Sequence, residues 1–228
     1  LMIRRPPRST LVRSSSASDV YKRQVLYRTY AQARALEDAF LRARMPYQVI
    51  GGVRFYQRRE IQDVLAYLRL ISNPKDKTAF SRIINYPRRG IGQTTQEHLV
   101  RWATDRGLTM LEAAEKAEEL PGLRAAGVRS LKGFANFMRR LSARATQLKI
   151  GELLEELVED LDLIRHLHDE GSEGEDRARN VIELITGALD FDVALMQSIE
   201  PEEPDAFTEL DLFLQEVALV ADLDGLAS

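Results

Sequence analysis

The sequence predicts a mainly α protein, with a small, incomplete β-α-β portion followed by an all-helical subdomain. Three observations predict it. Val25-Leu26-Tyr27-Arg28-Thr29 and Tyr47-Gln48-Val49-Ile50 have the β-branched and aromatic content of short strands. Between them Ala35, Leu36, Ala39, Phe40 and Ala43 recur at helical spacing. From Arg59 onward the apolar residues keep that helical period. The two strands are expected to run parallel with a right-handed crossover. Two strands make no stable sheet alone, so the rest of that sheet is expected in a longer parent chain.

The elements follow in order. Residues 1–24, LMIRRPPRSTLVRSSSASDVYKRQ, are rich in Arg and Ser, contain adjacent prolines and show no apolar period. This composition reads as a disordered tail or an Arg- and Ser-rich transit peptide. It resembles most the translated sequencing-adapter readthrough at the end of a gene fragment, in which case native sequence starts near Val25. Met45-Pro46 stops the first helix, and Gly51-Gly52 ends the second strand. Ile61, Val64, Leu65, Leu68 and Ile71 make one helical face, closed by Asn73-Pro74. Further helices are expected at 78–86 (ended by Pro87), 94–106 (ended by Gly107), 110–120, 124–148, 150–168, 177–196 and 206–223. Leu153, Leu154, Leu157, Val158, Leu161 and Ile164 form a stripe suited to a bundle core. Gly171-Ser172-Glu173-Gly174 and Glu200-Pro201-Glu202-Glu203-Pro204 read as exposed loops. The boundary between the two parts falls near Pro87.

Charge is segregated. Residues 25–90 carry 13 Lys+Arg against 5 Asp+Glu, and residues 151–228 carry 3 against 23, although the whole chain has a net charge of only −3. A polyanion near the basic part explains this, as does an unevenly composed solvated surface. With no cysteine, disulfides and thiolate metal sites are excluded. No apolar run approaches the roughly 18 residues of a membrane span, so a soluble chain is expected.

Tyr27 and Arg28 end the first strand, where ligands of parallel α/β sheets collect. Arg fits a phosphate and Tyr a base, although a core Tyr and a surface Arg read the same way. Arg54-Phe55-Tyr56-Gln57-Arg58-Arg59 interleaves rings and cations, which suits single-stranded nucleic acid and equally suits a loop anchored by its aromatics. Pro87-Arg88-Arg89-Gly90-Ile91-Gly92-Gln93-Thr94 is the most specific signal. Two glycines bracket an apolar residue before a helix, and Thr94 and Glu97 have capping-box spacing. Amides at such a helix start face an anion, and Arg88 and Arg89 add charge, giving a sequence-independent phosphate clamp. An ordinary tight turn is the alternative. Leu120-Pro121-Gly122-Leu123-Arg124 is a weaker second copy. No glycine is followed by lysine, so there is no phosphate-loop motif. His166 and His168 stand two apart on a helix and share no face, which argues against a metal site.

Val25-Leu26-Tyr27-Arg28-Thr29, Ala31-Gln32, Arg34, Pro46-Tyr47 and Gly51-Gly52-Val53-Arg54-Phe55-Tyr56 open a longer pattern. It continues through Glu60-Ile61, Asp63, Leu65-Ala66-Tyr67-Leu68-Arg69, Asn73-Pro74, Arg82-Ile83-Ile84-Asn85 and Pro87-Arg88-Arg89-Gly90-Ile91-Gly92. In order and spacing these closely resemble the UvrD/PcrA/Rep family of superfamily 1 DNA helicases over residues 25–107. Tyr30, Ala33 and Tyr86 depart from the usual Asn, Ser and small β-branched residue.

The resemblance implies that residues 25–87 begin the second RecA-like domain, 2A. Residues 88–224 would be the inserted helical 2B subdomain, and 225–228 a tail. Tyr27 resembles the aromatic that packs on the adenine of ATP. Arg28 resembles the catalytic arginine that contacts the γ-phosphate. Gly90-Ile91-Gly92, with Arg88, Arg89, Gln93 and Thr94, resembles the contact with duplex DNA. Arg54 and Tyr56 match DNA-facing positions near the motor cleft. The family places its phosphate loop and Mg²⁺ carboxylate before Val25 and further motor motifs after Ser228. ATP and Mg²⁺ therefore belong to the full-length parent, and this chain alone is expected to be inactive and to hold neither stably. The parent is expected to be a cytoplasmic bacterial 3′→5′ helicase of repair or replication. Its partners would be a single-strand/duplex DNA junction, the rest of its own chain and repair proteins, with no membrane. A free-standing helical DNA-binding module and an acidic protein-interaction scaffold are the other readings.

Overall fold

The computed structural model describes Met2–Ile3, Val25, Leu36, Ala39, Phe40, Tyr47–Gln48 and residues 55–198 and 208–225. The first expected strand beyond Val25, the glycine pair at 51–52, Arg54 and the loop at 200–204 lie outside the described residues, as do Tyr27 and Arg28. Leu36, Ala39 and Phe40 are helical, within the expected first helix.

Residues 1–58 and 215–228 form one compact unit, and Arg59–Leu214 the other. In the first, β1 (Met2–Ile3) pairs antiparallel with β2 (Tyr47–Gln48). The sequence reading gave residues 47–50 a parallel partner at 25–29. The partner described is instead a segment that reading set apart from the fold, and no β-α-β portion is seen among the described residues. A 3-10 turn, Phe55–Gln57, buries Phe55 and Tyr56.

The second unit is built around α1 (Arg59–Ser72), nine of whose residues are buried. Ile61, Leu65, Leu68 and Leu70 are fully enclosed, whereas Ile71, expected on the apolar face, is half-exposed. A helix buried on so many sides, with Glu60 and Asp63 among its buried residues, needs neighbours all round it. It receives α2 (Lys77–Ile83), α5 (Ala125–Ala145) and α8 (Ser172–Ser198). Phe80 of α2 meets Phe134 of α5 edge to face at 5.6 Å, and Tyr67 of α1 meets Phe137 at 5.9 Å. The buried Asn180 of α8 donates to Glu60 of α1 at 2.7 Å. Asp63, also buried, holds Arg82 of α2 at 2.6 Å.

Local signals set several boundaries. Asp76 caps α2 by accepting from the Thr78 and Ala79 amides, both at 2.9 Å. Gly107, at φ 64, ends α3 (Gln93–Arg106). Thr109 and Glu112 form a reciprocal capping box on α4 (Met110–Glu115), followed by a 3-10 turn at Ala117–Glu119.

Two further expectations fail. The helix expected over 150–168 is broken into α6 (Ile150–Asp160) and α7 (Leu163–His168) by Asp162 at φ 48. Asp tolerates that left-handed geometry better than most residues. The break shifts the phase: Leu163 and Leu167 enter the core, while Leu161 and Ile164 stay half-buried. The glycine-rich stretch 171–174 is likewise no exposed loop. Gly171 turns at φ 84, α8 starts at Ser172, and Gly174 is buried where an added Cβ would lie 1.8 Å from the Leu167 carbonyl oxygen. The buried Asp192 of α8 then accepts the Gly151 amide at 2.8 Å and caps α6 from outside. The last helix, α9, spans Glu209–Gly225.

Candidate nucleic-acid interface

The turn between α2 and α3 lies wholly in the second unit. Ile84 closes α2 and is buried. Pro87 follows across a cis Tyr86–Pro87 bond. Arg88 is exposed, Arg89 half-buried and Gly90 exposed at φ 73. Ile91 is fully buried, and Gly92, Gln93 and Thr94 are exposed again. One anchored apolar side chain thus carries an exposed glycine on each side.

Two side chains shape the turn. Asn85 Oδ1 accepts the Arg89 amide at 2.9 Å and the Ile91 amide at 3.1 Å. Arg89 folds inward: its Nη1 donates to the carbonyls of Ile83, Tyr86 and Pro87, and its Nη2 to the Tyr67 hydroxyl at 2.8 Å. Tyr67 donates in turn to the Tyr86 carbonyl. Burial pushes the Tyr67 hydroxyl up to about 12. Tyr86 is also raised to about 12 by burial.

The glycines differ in what they require. Gly90 needs its left-handed backbone. Gly92 has φ −74, ordinary for any residue, and an added Cβ would meet nothing within 4 Å. The fold therefore makes no demand for glycine at 92. It is the N-cap of α3 and brings no side-chain cap, so the first-turn amides from Gln93 have no acceptor within their own helix. The expected Thr94–Glu97 capping box is absent, because the N-cap is Gly92, two residues before Thr94, which lies inside α3. Glu97 instead accepts from Gln93 Nε2 at 2.9 Å.

Not all expected site residues gather here. Tyr56 is only 8 % exposed and lies edge to face with Phe55 at 5.1 Å. A ring so enclosed offers no open face to a base, so the stacking expectation for Tyr56 is corrected to an anchoring one. The inward guanidinium likewise corrects the expectation that Arg89 adds free charge beside the turn. Gly122, at φ 78 before α5, has the backbone of a second hook but no second glycine. The part of Asn85 had no signal beyond an Asn placed shortly before a glycine turn. Among the described residues no group of three or more His, Asp or Glu could hold a metal ion. Among them, too, no helix is long and apolar enough to cross a membrane.

Comparison with known proteins decides the family: residues 9–225 match the UvrD-like helicase C-terminal domain. The chain belongs to that family. It is similar to the ATP-dependent DNA helicase PcrA of Bacillus subtilis, 36 % identical over 89 % of this chain and 26 % of the relative. DNA helicase II of Escherichia coli is 34 % identical over 86 % of the chain and 26 % of its own length. The ATP-dependent DNA helicase UvrD1 of Mycobacterium bovis is 35 % identical over 88 % and 27 %. The chain thus spans about a quarter of the curated relatives it matches.

Proposed function

We propose that this chain is part of an ATP-dependent 3′→5′ DNA helicase of the UvrD/PcrA type, and that its turn at 88–94 grips the phosphates of duplex DNA. The observation carrying this reading is Gly92, an exposed glycine that the fold does not need. It sits where α3 presents first-turn amides with no partner in their own helix. A bare backbone there lets a phosphate approach the amides, and the helix dipole favours its charge. Arg88 supplies a free cation beside the turn, and Gln93 and Thr94 lie within the same exposed stretch. Ile91 contributes by anchoring the turn rather than by contact. Such a grip reads no base, as a motor moving along any sequence requires.

In the parent, Tyr27 would pack on adenine and Arg28 would meet the γ-phosphate, with Arg54 near the motor cleft. ATP hydrolysis supplies the free energy for strand separation. The chain itself has no phosphate-loop motif, and its own ATP turnover is expected to be negligible. The parent would act in the cytoplasm on single-strand/duplex junctions, beside repair proteins.

Two experiments test the reading. The chain should bind duplex DNA weakly, with affinity that falls as salt rises, and altering Arg88, Gly90 and Gly92 together should abolish it; unchanged affinity removes the clamp. In the full-length parent, Arg28→Ala should abolish ATP turnover and leave DNA binding largely intact. Normal turnover refutes the assignment of Arg28.

A further inference from the structure

The guanidinium of Arg89 carries a positive charge that no carboxylate among the described residues pairs within 4.0 Å. In its place stand three carbonyls just past the C-terminal end of α2 or in its last turn, at 3.0 Å (Ile83), 2.9 Å (Tyr86) and 3.3 Å (Pro87). Of these only the Ile83 carbonyl belongs to α2, where it lies at the negative pole of the helix; it also accepts the Tyr86 amide at 3.1 Å. Three aromatic rings complete the cage: Phe134 at 5.2 Å, Phe137 at 5.8 Å and Tyr67 at 5.9 Å. One side chain therefore ties the turn to α1, α2 and α5 at once.

Asn85 works on the same few residues from the other side. Its oxygen holds the amides of Arg89 and Ile91, the two neighbours of Gly90. The left-handed glycine is thus clasped between two fixed peptide groups. Nothing in this arrangement leaves the Arg89 guanidinium pointing at an external anion, and its neighbour Arg88 is the exposed one.

We propose that Asn85 and Arg89 are positioning residues for the duplex contact. Together they fix the direction in which the Gly90–Gly92 turn leaves the helical core, and Arg89 acts through the turn rather than on a phosphate. The proposal rests on reading that turn as the DNA contact. Lysine is no substitute for Arg89, because a single ammonium cannot span acceptors on two sides as the planar fork does.

The test uses the 228-residue chain with Arg89→Lys, Arg89→Gln, Asn85→Ser and, for contrast, Arg88→Gln. Affinity for a short blunt duplex is read by fluorescence anisotropy over a range of KCl, and amide exchange at Ile91 by NMR. A lost phosphate contact flattens the slope of log K against log[salt] by about one, whereas a lost positioning contact leaves the slope alone. Arg88→Gln should flatten it. Arg89→Lys and Arg89→Gln should both weaken binding about tenfold or more at the wild-type slope, and Ile91 should exchange faster in Arg89→Lys and Asn85→Ser. Wild-type binding in Arg89→Lys, together with a flattened slope in Arg89→Gln, overturns the proposal in favour of a direct contact. Unchanged Ile91 exchange in Asn85→Ser overturns it as well, and that variant decides the matter should Arg89→Lys fail to fold. A wild-type chain that binds no duplex at any salt defeats the reading of the turn itself. The exchange rates then still report whether the two side chains hold it, so the two failures are told apart.

Discussion

Asn85 reaches six residues along the chain to Ile91, whose amide it accepts at 3.1 Å, and so brackets a glycine at φ 73. That glycine, Gly90, has open space around the position of a Cβ. Gly90→Ala should therefore cost only the left-handed backbone penalty, about 1–2 kcal/mol in urea denaturation. Wild-type stability in that variant would show that the turn relaxes to another conformation.

Gly174 and Gly133 should respond in opposite ways. An added Cβ at Gly174 would lie 1.8 Å from backbone, and at Gly133, exposed inside α5, it meets nothing within 4 Å. Gly174→Ala should destabilise by about 3 kcal/mol through forced displacement of α7. Gly133→Ala should stabilise by about 0.5–1 kcal/mol, the helix-propensity gain. Equal effects in thermal unfolding would contradict the packing of α7 against α8.

Phe134→Ala should be among the most damaging core changes. It removes a ring 1 % exposed, the edge-to-face partner of Phe80 and one wall of the Arg89 cage. A loss of about 3–5 kcal/mol is expected. A loss below about 1 kcal/mol would mean that α5 does not pack on α2 as described.

Several helix ends are legible because they fall on a residue with a local reason: Asn73-Pro74 after α1 and Gly107 after α3. The misses arose where tertiary contact overrode local pattern. An unbroken apolar stripe concealed the kink at Asp162, since spacing records which residues are apolar and not where the backbone reverses. Gly174 looked like loop composition because a close approach to Leu167 has no signature in a single sequence. The turn at 88–94 was visible from its glycines, yet the two adjacent arginines were indistinguishable. Only the fold separates Arg88, which faces solvent, from Arg89, which faces three rings.

Alkaline pH offers a test of the same network. The Tyr67 hydroxyl is held neutral by burial, its pKa raised from 10.0 to about 12. The unfolded chain loses this proton first, so stability is fully present below pH 10 and declines as pH rises through about 12. The linked loss is on the order of 2 kcal/mol. Tyr67→Phe should remove that part of the pH dependence in denaturant titrations at pH 9 to 12. An identical alkaline profile in the variant would place the hydroxyl in contact with water.

The most direct measurement pairs stability with duplex affinity in Gly92→Asp. Aspartate is a favoured N-cap and complements the helix dipole, so thermal stability should hold or rise by a few tenths of a kcal/mol. Duplex affinity should fall tenfold or more, because a carboxylate would then occupy the place proposed for phosphate. Unchanged affinity with intact stability would contradict the claim that the bare backbone at 92 exists to admit DNA.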